Sequence, residues 1–178
     1  MSVLYPVLIL VLLQRAAELV LAAANTRRLR AIGGVEVDAR GYRWFIALHA
    51  AWLTSLFVLV PANAAPFWSL LGLYAALQLG RIWVIASLGR RWTTRIILVP
   101  GAPLVRSGPY RWMRHPNYAV VAVEIALLPL AFGALAIAIV FSAANLVLIT
   151  RRIRIEEAAL AMTARLDLLP IRREAGQA

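Results

Sequence analysis

AVVAVEIALLPLAFGALAIAIVFSAANLVLI, residues 119–149, is the stretch that decides how this chain folds. As one helix it would rise about 45 Å at 1.5 Å per residue, well beyond the roughly 30 Å of a bilayer's hydrocarbon core. Pro129 and Gly133 stand near its middle. Proline removes a helical hydrogen bond and glycine frees the backbone for a turn, so the run divides into two antiparallel helices.

Three more stretches, residues 3–24, 44–60 and 66–88, each supply the roughly 20 mostly apolar residues that a crossing requires. The expected fold class is all-α: an integral membrane bundle of five transmembrane helices, the last two a hairpin, forming a single domain over residues 1–178. Hydrophobic residues make up 62% of the chain and mean hydropathy is +0.77, far above a soluble domain. The first run lacks a basic leader, and Gln14, Arg15 and Glu18 interrupt it. It therefore reads as a retained helix rather than a cleaved signal peptide. Cysteine is absent and only two histidines occur, without an HExxH pattern, so no metal ligand set is expected. No internal repeat of transporter type is visible.

Charge gives an independent check on the span count. The formal net charge is +11, and every basic residue is arginine. Arg27, Arg28, Arg30, Arg40 and Arg43 fall in the first connection, and Arg90, Arg91, Arg95, Arg106, Arg111 and Arg114 in the third. The tail holds Arg151, Arg152, Arg154, Arg165, Arg172 and Arg173, whereas the second connection and the hairpin turn are uncharged. By the positive-inside rule the N-terminus lies outside and the C-terminus in the cytoplasm, at the plasma membrane if the source is bacterial. Most of these arginines suit the anionic headgroups of membrane lipids, and no nucleic-acid partner is expected. The oligomeric state stays open. Residues 155–169 read as an amphipathic helix on the membrane surface.

Ionisable groups inside the bilayer are costly and are either functional or paired. Gln14, Arg15 and Glu18 lie on the first span, and Tyr74, Gln78 and Arg81 follow one face of the third. Glu124 lies early in the fourth span and Asn145 late in the fifth. Pairing of Arg81 with Glu18 or Glu124 would hold the bundle together. His49 reads as a satisfied contact between helices.

The segment GPYRWMRHPNY, residues 108–118, concentrates cations and rings between apolar runs. Gly108-Pro109 supplies a turn, and Pro116 pushes His115 toward an extended backbone and fits the first position of a helix. His115 and the free N–H groups of that helix start would meet an anion, while Tyr110, Trp112 and Tyr118 offer faces to a ring or a sulfonium. An interfacial aromatic belt with positive-inside arginines explains the same composition.

The order of residues goes further. The pattern Gly-Pro-Tyr-x-x-x-Arg-His-Pro-x-Tyr, a hydrophobic hairpin, then Arg-x-x-x-Glu-Glu at residues 152–157 resembles the isoprenylcysteine carboxyl methyltransferase family over residues 88–160. The stretch GRRWTTRI, residues 89–96, is similar to a short bacterial branch associated with O-methylation of lipidic phenols and alkylpyrones. The resemblance implies S-adenosyl-L-methionine as cofactor, in a site formed by the cytoplasmic loop and the C-terminal helix. It implies cofactor contacts from Ala102, Pro103, Leu104, Val105, Tyr110, His115, Pro116, Asn117, Tyr118 and Glu156. It gives Arg152, or Arg154, a role facing a lipidic small-molecule acceptor. No aromatic residue occurs over residues 158–170, where the family usually has a Phe-Gly-x-x-Tyr-type segment.

Methyl transfer from a sulfonium needs alignment and exclusion of water, and neither a metal nor a covalent nucleophile. The arginine would orient a carboxylate, phenolate or enolate oxygen, and for a less acidic phenol His115 or Glu157 would take the proton. Three other readings compete: a phospholipid N-methyltransferase with an amine acceptor, an NADPH-dependent sterol-type reductase carrying a related Arg-His-Pro-x-Tyr segment, and a non-catalytic membrane protein.

Overall fold

The computed structural model describes residues 3–168, with side chains placed through Thr163. Five helices carry the fold: α1 (Leu4–Ala31), α2 (Ala39–Leu59), α3 (Trp68–Leu88), α4 (Pro116–Ala131) and α5 (Leu135–Leu168). They run up and down, so the start of α1, the end of α2, the start of α3 and the α4–α5 turn share one end of the bundle. Leu4, Leu8, Trp52, Leu56, Tyr74, Leu128 and Phe132 pack together there as the apolar core.

Four helices are long and apolar enough to cross a membrane: Leu4–Ala31, Ala39–Leu59, Trp68–Arg91 and Leu135–Thr163. The chain is thus an integral membrane protein. The fifth expected span is shorter than anticipated. At 16 residues α4 rises about 24 Å, short of a full crossing. Proline sets both of its limits, since Pro116 opens the helix at its first turn and Pro129 precedes the turn that ends it. α4 packs against α3 on one side and α5 on the other. Its polar Glu124 is buried inside the bundle, where protein rather than lipid surrounds it.

The hairpin expected from residues 119–149 is present. Gly133 takes φ +73°, in the left-handed region that glycine tolerates. The N–H groups of Gly133 and Ala134 return to the carbonyls of Leu130 and Pro129, closing the turn.

Two further expectations need correction. α1 continues to Ala31, so Arg27, Arg28 and Arg30 extend the helix beyond its apolar run instead of lying in a loop. Residues 155–168 are not a separate surface helix: α5 passes through the arginine-glutamate segment without a break, since no proline or glycine interrupts it. Leu169, Arg172 and Arg173 lie outside the described residues. The architecture also includes a two-stranded antiparallel ribbon, β1 (Val35–Val37) with β2 (Ile96–Leu98), in the register Val35↔Leu98, Glu36↔Ile97 and Val37↔Ile96. Both strands are too short for a period to show in sequence, although Val and Ile favour extended backbone. Glu36 pins the ribbon by accepting from Arg30 and, at 2.5 Å, from Arg95.

Midway along the bundle a charge tetrad joins three helices. Arg81 on α3 donates through Nε and Nη2 to both oxygens of Glu18 on α1, at 2.6 and 2.5 Å. Its Nη1 donates to Glu124 on α4 at 2.8 Å. Arg15 spans the same two carboxylates, at 2.8 Å to Glu18 and 2.9 Å to Glu124. Gln14 bridges Glu18 and Gln78. Arg81 therefore pairs with both acids considered from the sequence. Two cations and two anions cancel, which is the condition for keeping charge in a low dielectric. His49 bonds the Phe45 carbonyl of its own helix at 2.9 Å and meets Trp52 edge-on, as a helix-contact residue would.

Candidate active site

The opposite, arginine-rich end is built differently. Residues 99–115 cross this end as an irregular segment, and a short 3-10 turn, Gly108–Arg111, seats it against α3. Gly108 permits the contact: at φ +55°, a Cβ there would lie 2.1 Å from the Ser87 hydroxyl. Trp112 stacks edge-on against Trp83 of α3 with centroids 5.6 Å apart, and Arg111 covers the Trp112 ring. These contacts fix where α4 begins. Pro116 occupies the first helical position and is buried, as its restricted φ favours, and His115 caps it with a non-helical backbone.

From that start α4 presents Tyr118 to α5. The Tyr118 hydroxyl donates to Glu156 Oε2 at 2.6 Å and accepts from Arg152 Nε at 2.9 Å. Arg152 Nη2 donates to the Thr94 carbonyl at 2.8 Å, and the guanidinium lies over the rings of Phe45 and Tyr118, at 5.1 and 5.8 Å. A single buried arginine thus gathers α2, α4, α5 and the segment before β2. Among the described residues its charge meets no carboxylate directly: a hydroxyl stands between it and Glu156.

His115 stacks on Tyr118 with centroids 5.5 Å apart, its Nδ1 3.9 Å from Glu156 and its Nε2 3.4 Å from Glu157. Glu157 also meets Arg114 at 3.4 Å and stays exposed. Tyr110 is half-buried. Burial first, and the Glu156 carboxylate second, push its phenol well above the ordinary tyrosine value. Asn117 turns its amide oxygen inward, buried and without a protein partner.

The structure therefore brings together Tyr110, His115, Tyr118, Arg152, Glu156 and Glu157, with Pro116 and Asn117 at the helix start. It separates the two candidate arginines, since Arg152 is buried in the cluster and Arg154 is exposed, two residues along the helix and on another face. Ala102, Pro103 and Leu104 are exposed and Val105 is half-buried. The Pro103 carbonyl accepts from Arg91, and no hydrogen bond joins these four residues to the Glu156 cluster. Sequence reasoning missed Thr94, Tyr42 and Phe45. Tyr42 holds the Thr94 hydroxyl at 3.0 Å, while Arg95 lies over the Tyr42 ring, so the ribbon delivers the carbonyl that Arg152 uses. Residues 42 and 94 lie far apart in sequence and meet beside the strand pairing. Asn25 on α1 likewise fixes this segment by donating to the Trp92 and Gly89 carbonyls.

These features define a class first: a small helical membrane protein with a polar, arginine-centred cluster at one mouth of its bundle. The model of the isoprenylcysteine carboxyl methyltransferase (ICMT) family matches residues 70–162, which include the whole cluster except Phe45 and Tyr42. A relative from Bacillus subtilis (strain 168), described as uncharacterized protein YpbQ, is 40% identical over 157 residues, covering 85% of this chain and 92% of the relative. No solved structure matches. The chain belongs to the isoprenylcysteine carboxyl methyltransferase family, as the order of motif residues implied, and is a membrane-embedded protein of methyltransferase type.

Proposed function

We propose that the chain transfers a methyl group from S-adenosyl-L-methionine to an oxygen (carboxylate, phenol or enol) of a hydrophobic, lipid-like acceptor. One observation carries this reading. The Arg152 guanidinium is buried and held through Nε and Nη2 by a tyrosine hydroxyl and a backbone carbonyl, and among the described residues no hydrogen bond engages Nη1 and no carboxylate forms an ion pair with it. Such an arginine is pre-aligned for an anionic oxygen.

The residues present also fit the cofactor. Among the described residues no hydrogen bond engages Glu156 Oε1, which can accept from hydroxyl or amino groups, and Asn117 Oδ1 is a buried acceptor without a donor. His115, stacked on Tyr118, and the half-buried Tyr110 add rings to the same end of the bundle. Tyr110, His115, Pro116, Asn117, Tyr118 and Glu156 would hold the group, and Ala102, Pro103, Leu104 and Val105 join them through the family motif. When bound, S-adenosyl-L-methionine supplies a methyl on a sulfonium, open to in-line displacement. Arg152 Nη1 orients the acceptor oxygen, and the Tyr118 hydroxyl fixes Arg152 and Glu156 relative to one another. His115, with Glu157 beside Nε2, takes a proton from an acceptor that is not already ionised. In this reading the arginine-rich end faces the cytoplasm, the source of the cofactor.

Glu124 would have served the amine-methylating alternative by facing an ammonium. It is instead paired with Arg15 and Arg81, which favours the oxygen acceptor. The test is thermal denaturation of purified protein with S-adenosylhomocysteine, NADPH or no ligand. Stabilisation by the first compound alone is expected, by about 3 kcal/mol at a hundredfold excess over Kd. Stabilisation by NADPH alone, or by neither, would remove the proposal.

A further inference from the structure

Inside the bundle a second set of groups is unaccounted for. Trp52 Nε1, Glu124 Oε1, Ser142 Oγ and both amide atoms of Asn145 are buried with no hydrogen-bond partner among the described residues, as are Arg15 Nε and Tyr74 OH, although Tyr74 OH lies close to the Arg15 guanidinium. Asn145 and Trp52 are 1% exposed, Glu124 2% and Tyr74 5%, so none of these side chains turns to the surroundings.

The groups come from all five helices, and Arg15, Tyr74 and Glu124 lie within electrostatic reach of one another. Glu124 and Ser142 lie equally far from the Gly133 turn along the two arms of the α4–α5 hairpin. Arg15 is bonded to Glu124, Tyr74 and Trp52 belong to the same packed core, and His49, edge-on to Trp52, lies within electrostatic reach of Arg15, Arg81 and Glu124. Along α5, Asn145 lies about 10 Å deeper than Arg152, so this layer is separate from the candidate active site.

The chemistry of the open valences restricts what can fill them. The tetrad is already neutral, so an ion would leave a net charge in the bilayer. Trp52 and Arg15 Nε only donate and Glu124 Oε1 only accepts, so a bridging molecule must do both. It must also be small. We propose that this layer is a binding site for water, a short file of ordered molecules linking Asn145 and Ser142 of α5 and Trp52 of α2 to Tyr74 and the Arg15–Glu124 face of the tetrad. Each molecule finds there the two to four polar partners that a buried water requires. The file is what makes burial of these groups tolerable.

Radiolytic hydroxyl-radical footprinting tests this on the full chain, in an amine-oxide detergent that carries no hydroxyl group. Radicals formed from bound water oxidise the side chains beside it. Trp52 and Tyr74 should label within about tenfold of exposed Trp112, as two- to four-partnered waters at those atoms would allow, while equally buried Ile125 and Leu128 stay unlabelled. No label on Trp52 and Tyr74, or equal label on all four, would overturn the site. Asn145→Leu adds a second readout. Loss of a water partner lowers the melting temperature and cuts Tyr74 labelling several-fold, with Asn145→Ser restoring both. A leucine variant that melts higher and labels unchanged would mean that the amide was buried dry.

Discussion

The tetrad at mid-bundle and the cluster at its arginine-rich mouth use the same residue types to opposite ends. In the tetrad every guanidinium meets a carboxylate: Arg81 holds Glu18 by two bonds and Glu124 by a third, and Arg15 repeats the span. At the mouth Arg152 and Glu156 approach the same tyrosine oxygen from either side without pairing. Charge is paired carboxylate to guanidinium inside the bundle, whereas at the mouth a hydroxyl stands between the two. In the proposed function the difference separates a structural from a chemical use of arginine, and composition alone, all arginine and no lysine, does not.

The largest expected effect breaks the first side of that comparison. Arg81→Met leaves Glu18 and Glu124 sharing Arg15 alone inside the bundle. Removing one partner of a buried ion network costs about 3–5 kcal/mol, enough to cancel most of a small protein's stability. Arg81→Lys recovers part of this at best, since one ammonium cannot reproduce the bidentate bond. Thermal unfolding in detergent reads both variants, and a wild-type melting curve for Arg81→Met would show that the tetrad does not hold the helices.

The second prediction breaks the other side. Arg152→Ala should abolish methyl transfer, by about a hundredfold or more, as loss of an oriented charge partner does. Cofactor binding measured by calorimetry largely survives, because the assigned role is on the acceptor. Arg154→Ala, at the exposed arginine, should leave turnover within about twofold, in line with surface substitutions generally. Equal losses from both variants would make the cluster no more than a basic surface. Smaller still, Tyr118→Phe keeps the ring stacked on His115 but removes the hydroxyl between Arg152 and Glu156. A hydrogen bond to charged groups contributes about 1.5–3 kcal/mol, so turnover should fall roughly ten- to a hundredfold. An unchanged rate would make the bridge incidental.

These expectations show how legible the molecule was. The hairpin could be read from residues 119–149 because proline and glycine act locally on the backbone, and the tetrad because a membrane leaves ionisable groups no alternative to pairing. The choice between Arg152 and Arg154 could not be read, since two residues on one helix differ in the face they present and only packing of α5 against α2 and α4 selects it. The ribbon was invisible for a similar reason. Val35–Val37 and Ile96–Leu98 are each too short for a pattern, and the Glu36–Arg95 ion pair that helps hold them joins residues far apart in sequence.

The last prediction concerns a charge pair intermediate between the two regions, at the surface yet closed. Asp38 caps α2 by accepting from the Gly41 N–H at 3.2 Å and receives two bonds from Arg151, at 2.7 and 3.0 Å. The Arg151 hydrogen bond holds the Asp38 carboxyl below the usual aspartate range. A depressed folded-state value means that the stabilisation is fully present above the unfolded value near 4 and is lost as pH falls through the lower folded value. Asp38→Ala removes a helix cap and an exposed pair, together about 1 kcal/mol. Melting temperature at neutral pH should therefore drop by a few degrees, and the gap from wild type should close on acidification below about pH 4. If Asp38 acted in the chemistry instead, Asp38→Ala would lower turnover at neutral pH without changing the melting curve, and the closed pair would have to be regrouped with the open cluster.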